Sequence, residues 1–225
     1  MTRHLHRETE KIKVRLLALS AVVEDNVQRA VRALVDGDPG LAAQAICVDS
    51  DRIDGEEVDI EEECLKVLAL HQPVASDLRF IVAVMKIDNE LERVGDKAVN
   101  IAERAIQLAK SCPRTAPFDL VAMADRAQSM LQRSLDALVN LDPALARHVT
   151  GEDDVMDEVN RANYCLIETR MGEHPDEIPT LMHYLAVSRQ LERIADHATN
   201  IAEDVIYLVE GEIVRHRAED ARSQC

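Results

Sequence analysis

Two stretches decide the fold: LERVGDKAVNIAE at 91–103 and LERIADHATNIAE at 191–203 agree at nine of thirteen positions and stand 100 residues apart. Outward from both, apolar residues keep one pattern. Val84, Ile87, Leu91, Val94, Ala98, Ile101, Ala105 and Leu108 follow unbroken 3-4 spacing, and so do Tyr184, Val187, Leu191, Ile194, Ala198, Ile201, Val205 and Leu208. That spacing keeps apolar side chains on one face of a helix. Each stretch is therefore the centre of a long helix, and the chain is an internal duplication.

Breaker residues cut the rest into matching pieces. A first segment runs from about Glu8 to Val35 and stops at Asp36-Gly37-Asp38-Pro39, where Asp38 can cap and Pro39 can take the first helical position. A second runs to His71, before Pro73. Ser76 is placed to cap the third, which reaches about Lys110, and Pro113 and Pro117 punctuate the longest joint. The scheme then restarts with a segment from about Asp119 to Asn140, an Asp142-Pro143 cap, a fifth segment to about Arg170, a turn from Pro175 to Pro179, and a sixth segment ending near Gly211. No segment reads as a strand. The expected fold is all-α: two pseudo-symmetric three-helix bundles, residues 1–112 and 113–225, each long enough for a modest core of its own. Gly95, Ala98 and Ala102, with Ala195, Ala198 and Ala202, form a duplicated small-residue face suited to close helix crossing.

Composition narrows the function. The 225 residues carry 42 acidic against 26 basic side chains, a net charge of −16, which repels a phosphate backbone and argues against nucleic acid as a partner. Aromatics supply only 2% and there is no Trp, so the core is aliphatic. Residues 1–13 are polar where a secretory signal needs an apolar run, and the longest nearly apolar stretch, 16–23, is too short to cross a bilayer. A soluble cytoplasmic protein is expected, meeting a membrane only through partners. Cys47, Cys64, Cys112, Cys165 and Cys225 are scattered with no C-x-x-C pair, and the first four read as small helix residues. No nucleophile with a base and no G-x-x-x-x-G-K-[ST] loop is present, so neither catalytic turnover nor a phosphate-binding loop is expected.

Acidic residues carry the remaining signal. Glu92, Asp96 and Glu103 fall within about 40° of one another, opposite the apolar stripe, and Glu192, Asp196 and Glu203 repeat the row. Like charges at i,i+4 destabilise an isolated helix by about 0.2–0.5 kcal/mol, and here the unfavourable pair occurs twice. An antiparallel hairpin turning near residue 74 brings this row level with the most acidic part of the chain, Asp49, Asp51, Asp54, Glu56, Glu57, Asp59 and Glu61 to Glu63. A turn near 175 brings the second row level with Glu152, Asp153, Asp154, Asp157 and Glu158. Such rows are either solvated faces, a surface for a basic partner, or cation sites for Mg²⁺, Ca²⁺, Mn²⁺ or iron. As cation sites they centre on Glu92/Asp96 and Glu192/Asp196, supplemented by Asp54 and Asp157, with Asn100 and Asn200 one turn on. His197 adjoins Asp196 and is a weaker candidate, since its counterpart Lys97 is no ligand while charged. No H-x-x-x-H or E-x-x-H occurs.

The duplicated L-E-R-[VI]-[GA]-D-x-A-x-N-I-A-E helices, the QPVASDLR turn at 72–79 and the six-segment layout resemble the PhoU family of phosphate-transport regulators. The resemblance implies two three-helix bundles and a cytoplasmic adapter. Such an adapter links the ATPase of a high-affinity phosphate ABC transporter to a phosphate-sensing histidine kinase, and keeps phosphate-starvation genes off when phosphate is plentiful. It also implies a homodimer or higher oligomer, and multinuclear iron or zinc at E(D)-x-x-x-D motifs, matched here by Glu92 with Asp96 and Glu192 with Asp196. Two departures are visible: Ala195 stands where the family pattern usually has Gly, and Leu19-Ser20 where a Met-Gly pair is often found. The alternative is a carboxylate-bridged dimetal enzyme in a helical bundle. Its sites use E-x-x-H ligands aimed into the bundle, which this chain lacks.

Overall fold

A computed structural model of the chain describes residues 3–48, 52–111, 115–212 and 214. Asp49, Asp51, Cys112, Pro113, Cys225 and the boundary expected at 112/113 lie outside them. The first repeat comprises α1 (Arg3–Asp36), α2 (Pro39–Val48), α3 (Asp54–His71) and α4 (Ala75–Lys110). The second comprises α5 (Leu120–Asn140), α6 (Pro143–Thr150), α7 (Asp153–Glu173), a 3-10 turn over Pro175–Glu177, and α8 (Ile178–Glu210). Among the described residues there is no strand.

Each repeat has three legs, as expected, but the middle leg is two helices rather than one: α2 with α3, and α6 with α7. The break in the second repeat falls at Gly151, whose N–H closes the last turn of α6 onto Arg147 and Val149 carbonyls. Asp153 and Asp154 then occupy the first turn of α7, as Asp54, Glu56 and Glu57 do in α3. Acids that read as a continuous helix face also stand where a helix begins, and negative charge there is favourable.

Local punctuation follows the residues. Asp38 Oδ1 accepts from the N–H groups of Gly40 (2.8 Å) and Leu41 (3.1 Å), and Asp142 Oδ1 from those of Ala144 (2.9 Å) and Leu145 (3.1 Å). Asp119 caps α5 through the N–H of Ala122. Ser76 is not a cap: Pro73 and the extended Val74 bring the chain in so that α4 already begins at Ala75, with no side-chain bond at its start. Gly211 ends α8 at φ +76°, a conformation that needs glycine, with an Arg79 guanidinium nitrogen 2.6 Å from where a Cβ would stand.

The two long duplicated helices, α4 and α8, pack against each other. Lys86 Nζ meets Asp204 Oδ1 at 3.2 Å, and Asn200 Nδ2 donates to Glu90 Oε2 at 3.1 Å. Position rises on one helix as it falls on the other, so the pair is antiparallel about a pseudo-two-fold level with Gly95 and Ala195. Helices α1, α2 and α3 cover α4, α5, α6 and α7 cover α8, and α1 also meets α5. Buried Leu, Val, Ile and Ala side chains form one cluster running through both repeats, in place of two separate cores.

A polar network inside the second repeat is closed by hydrogen bonds. Ser188, fully buried on α8, donates to Asn160 Oδ1 (2.8 Å) and accepts from Asn163 Nδ2 (3.2 Å), both on α7. Replacing Ser188 with Ala leaves both partners short of a bond and is expected to destabilise the fold by about 1–3 kcal/mol with helix content unchanged. Urea unfolding followed by circular dichroism measures this, and a variant as stable as wild type would show that the network contributes nothing.

Candidate metal centre

In the second repeat, one carboxylate oxygen each from Asp157 on α7 and Glu192 and Asp196 on α8 lie within 4.8 Å of one another, all three residues half-buried. Metal–oxygen bonds of about 2.0–2.6 Å bridge oxygens at such separations. Asp153, one turn before Asp157, joins the group and accepts from Thr199 Oγ1 at 3.1 Å. Burial, followed by the charges of Glu192, Asp153 and Asp157, pushes the Asp196 carboxyl up to about 7, against the pull of Arg193. Burial and then Asp157 raise Glu192 as well. The site holds more negative charge than its own cations balance.

The first repeat repeats the elements more loosely. Glu92 is half-buried, whereas Asp96 and Asp54 are exposed. Burial raises Glu92, and the charges of Asp96, Glu57 and Asp54 add to the effect, so α3 does deliver its acids to α4. No group of three ligand atoms as tight as the Asp157 group forms here among the described residues. One reason is Arg15 of α1, which pairs with Glu56 (2.8 Å), Asp59 (2.8 Å) and Glu63 (2.9 Å) and so takes three acids of the α3 stretch.

Antiparallel packing puts the two rows beside each other. Glu92 and Asp96 from α4 and Asp196 from α8 line one groove of about 600 Å³, which Arg93, Lys97 and Arg193 line as well. The two asparagines expected as supplements use their amide N–H groups elsewhere, Asn100 Nδ2 donating to its own helix at the Asp96 carbonyl (2.7 Å) and Asn200, which lines this groove, donating from Nδ2 to Glu90. His197 Nδ1 lies 2.7 Å from Glu90 Oε2, so this ring joins the two repeats and does not turn that nitrogen to the Asp196 group. Burial favours the neutral acid at Glu90, but its bonds to His197 and Asn200 outweigh that and hold it below the usual carboxylate range.

The donor set of the acid rows is all oxygen, and burial raises Glu92, Glu192 and Asp196 within it. It fits a hard or borderline divalent cation, which would relieve the repulsion. Sequence reasoning reached Asp157, Glu192 and Asp196 through spacing. It passed over Glu90, whose partners are more than a hundred positions away, and singled out Asp153 only as one of a run of acids.

The PhoU domain family matches twice, at residues 16–105 and 120–205, within α1–α4 and α5–α8. The chain belongs to the PhoU family. It is 40% identical over 217 residues to a Pseudomonas aeruginosa protein named phosphate-specific transport system accessory protein PhoU homolog, covering 96% of this chain and 89% of that one. An Aquifex aeolicus protein of the same name is 40% identical over 213 residues, covering 95% and 96%. Among solved structures, PhoU from Pseudomonas aeruginosa superposes with a TM-score of 0.88 at 41% identity, covering 92% of this chain and 99% of that one. The phosphate transport system regulatory protein PhoU from Streptococcus pneumoniae gives 0.82 at 31% identity, covering 93% and 99%. The family and the duplicated helical fold expected from the LERxxD helices are therefore those of this protein.

Asp196 carries a pH prediction. Its folded-state value lies above the ordinary carboxylate value of about 4, so the folded chain holds this proton more tightly than the unfolded chain. The resulting stability is present at low pH and lost as pH rises from about 4 to about 7. In chelator, Asp196→Asn is expected to flatten the fall in stability over that window and to leave the protein more stable than wild type at pH 8. Parallel pH-dependent slopes for the two proteins in urea unfolding would contradict the assignment.

Proposed function

We propose that this protein is the accessory subunit of a phosphate-specific transport system, acting in the cytoplasm by binding and without catalytic turnover. Its partners are the ATPase of the phosphate ABC transporter and the cytoplasmic part of a phosphate-sensing histidine kinase, and it represses phosphate-starvation genes when phosphate is plentiful. The observation that carries this reading is the pair of PhoU domains spanning the chain, together with relatives whose names place them in phosphate-specific transport. A homodimer or larger assembly accompanies it. The acid rows hold divalent metal, iron or zinc among the choices, at Glu92/Asp96 with Asp54 and at Glu192/Asp196 with Asp157. Support for the metal is the convergence of Asp157, Glu192 and Asp196 and the absence of enough basic partners around them.

A dimetal oxidase is a poorer reading. Glu92, Asp96 and Asp196 open on the α4–α8 groove, away from the apolar core where such enzymes keep their ligands. A net charge of −16 also gives the adapter a physical signature: association with a basic partner surface is steered by charge and slows as salt shortens the Debye length toward about 8–10 Å.

Two measurements test the reading. A strain lacking the protein is expected to express phosphate-scavenging genes in phosphate-rich medium, and normal repression there, with no paralogue present, would end the adapter assignment. Titration of iron, zinc and manganese is expected to show weaker uptake by Glu92→Gln/Glu192→Gln than by wild type. Equal uptake would end the metal assignment and leave the adapter role standing.

A further inference from the structure

One end of the molecule departs from the duplication, and the departures meet in one groove. Asp38-Pro39 matches Asp142-Pro143 at an offset of 104 residues, which pairs Leu16 with Leu120, so the α1 residues before Leu16 have no counterpart in α5. Part of that extension, between residues 6 and 13, forms one wall of a groove of about 450 Å³. Arg79 and Phe80 near the start of α4, Leu141 after α5, and Leu208 and Val209 near the end of α8 form the rest. Under the 100-residue offset Arg79 and Phe80 correspond to Pro179 and Thr180, and Val209 to Ala109. The opposite end of the pseudo-two-fold has no residues with which to build this surface.

Two features of its lining are unfavourable for packing alone. Leu141 ends α5 at φ +51°, a left-handed conformation that crowds the Cβ of an L-residue. Its counterpart is Gly37, which takes φ +64° without that penalty. The leucine gains little burial in return, since it is 44% exposed with its side chain in the groove. Arg79 is half-buried, and its Nε is sealed from water without a hydrogen-bond partner. No other arginine nitrogen among the described residues is so placed. The guanidinium lies against Gly211 at the C-terminal end of α8, where the helix dipole favours a cation, yet the Nε–H stays unbonded. Glu10 and Asp77 also line the groove, but no carboxylate of the described residues pairs with Arg79. A cation held partly out of water and short of acceptors attracts an anion more strongly than a solvated one does.

We propose that this groove binds a small organic anion with an apolar body, of the medium-chain carboxylate class. Its acid group pairs with the Arg79 guanidinium, and its chain lies over Phe80, Leu141, Leu208 and Val209. The forked N–H donors of arginine suit a carboxylate. Covering the apolar side chains that the groove leaves in water supplies the rest of the affinity. A volume of about 450 Å³ falls within the range of small-molecule sites, about 300–1,000 Å³. The groove shares no residue with the acid rows, so this site stands apart from the metal and adapter readings.

Decanoate, kept below its micelle-forming concentration, tests the site in the full chain by displacing the fluorescent dye anilinonaphthalene sulfonate, itself an apolar anion. Displacement by decanoate is expected to saturate, and decanol, with the same chain and no charge, to be about tenfold less effective. Arg79→Gln is expected to erase the difference between acid and alcohol. Leu141→Gly is expected to weaken decanoate binding about fivefold or more, with a urea unfolding midpoint near that of wild type, because glycine relieves the left-handed backbone. That variant keeps the test decisive if Arg79→Gln does not fold. Four results would each overturn the proposal: no saturable displacement, equal displacement by acid and alcohol in the wild type, a difference that survives in Arg79→Gln, or unchanged decanoate binding in Leu141→Gly. All four leave the metal and adapter readings untouched.

Discussion

Lys86 against Asp204, and Glu90 against His197 and Asn200, fix how α4 and α8 lie along one another. The duplicated motif straddles the midpoint of that antiparallel pair, so Glu92 and Asp96 of α4 and Asp196 of α8 open on one groove. A slip of one turn would part the rows and strip Glu90 of its partners. Glu90 is 8% exposed, and leaving a buried carboxylate without its hydrogen-bond partners costs about 1–3 kcal/mol or more. The same contact therefore holds the two repeats in register and forms the groove that Glu92, Asp96 and Asp196 share.

The polar contacts of this interface are not symmetric, although the helices are. Glu90 corresponds to Gln190, His197 to Lys97, Lys86 to Ala186 and Asp204 to Arg104. Each ion pair is made once per chain, on one side of the pseudo-two-fold. Lys86 adds a contact over the Tyr207 ring, 5.0 Å from its centre, for which Gln107 stands in the other repeat. On the opposite side the Gln190 Oε1 is buried without a partner. These substitutions break the symmetry of the interface, while Glu92/Glu192, Asp96/Asp196 and Glu103/Glu203 are identical in the two repeats. Symmetry is kept where a common ligand would need it and given up where the two halves must recognise each other.

Helix positions were legible because the apolar spacing in α4 and α8 has no interruption, and Asp38, Asp142 and Gly211 act where their chemistry places them. Both middle legs were misjudged as single helices, since the acids that begin α3 and α7 carry no apolar break to separate them from what precedes. Ser76 failed as a cap because Pro73 and Val74 set the entry one residue earlier. At the site, spacing along one helix and a hairpin register sufficed for Asp157, Glu192 and Asp196. Arg15, which withdraws Glu56, Asp59 and Glu63 from the first row, lies 41 to 48 positions from them, and no local pattern signals such a pairing.

On the proposed metal and adapter readings, cation binding would act on the charge beside the α4–α8 groove. Without ions, each row concentrates carboxylates that burial and mutual repulsion already disfavour. A divalent ion bound only by the folded chain stabilises it by about 2.7 kcal/mol at a hundredfold excess over its dissociation constant. Its ligands come from the hairpin leg and from the long helix together, α7 with α8 in the second repeat, so this stability is delivered to the contact between the legs. Each ion also removes two units of negative charge from a face that both long helices share. At physiological salt, fields from exposed charges fade within about 8 Å, so a partner seated on the groove senses that change and one seated on the far ends of the bundles does not. On those readings, metal occupancy would be coupled to docking through charge, with no movement of the backbone required.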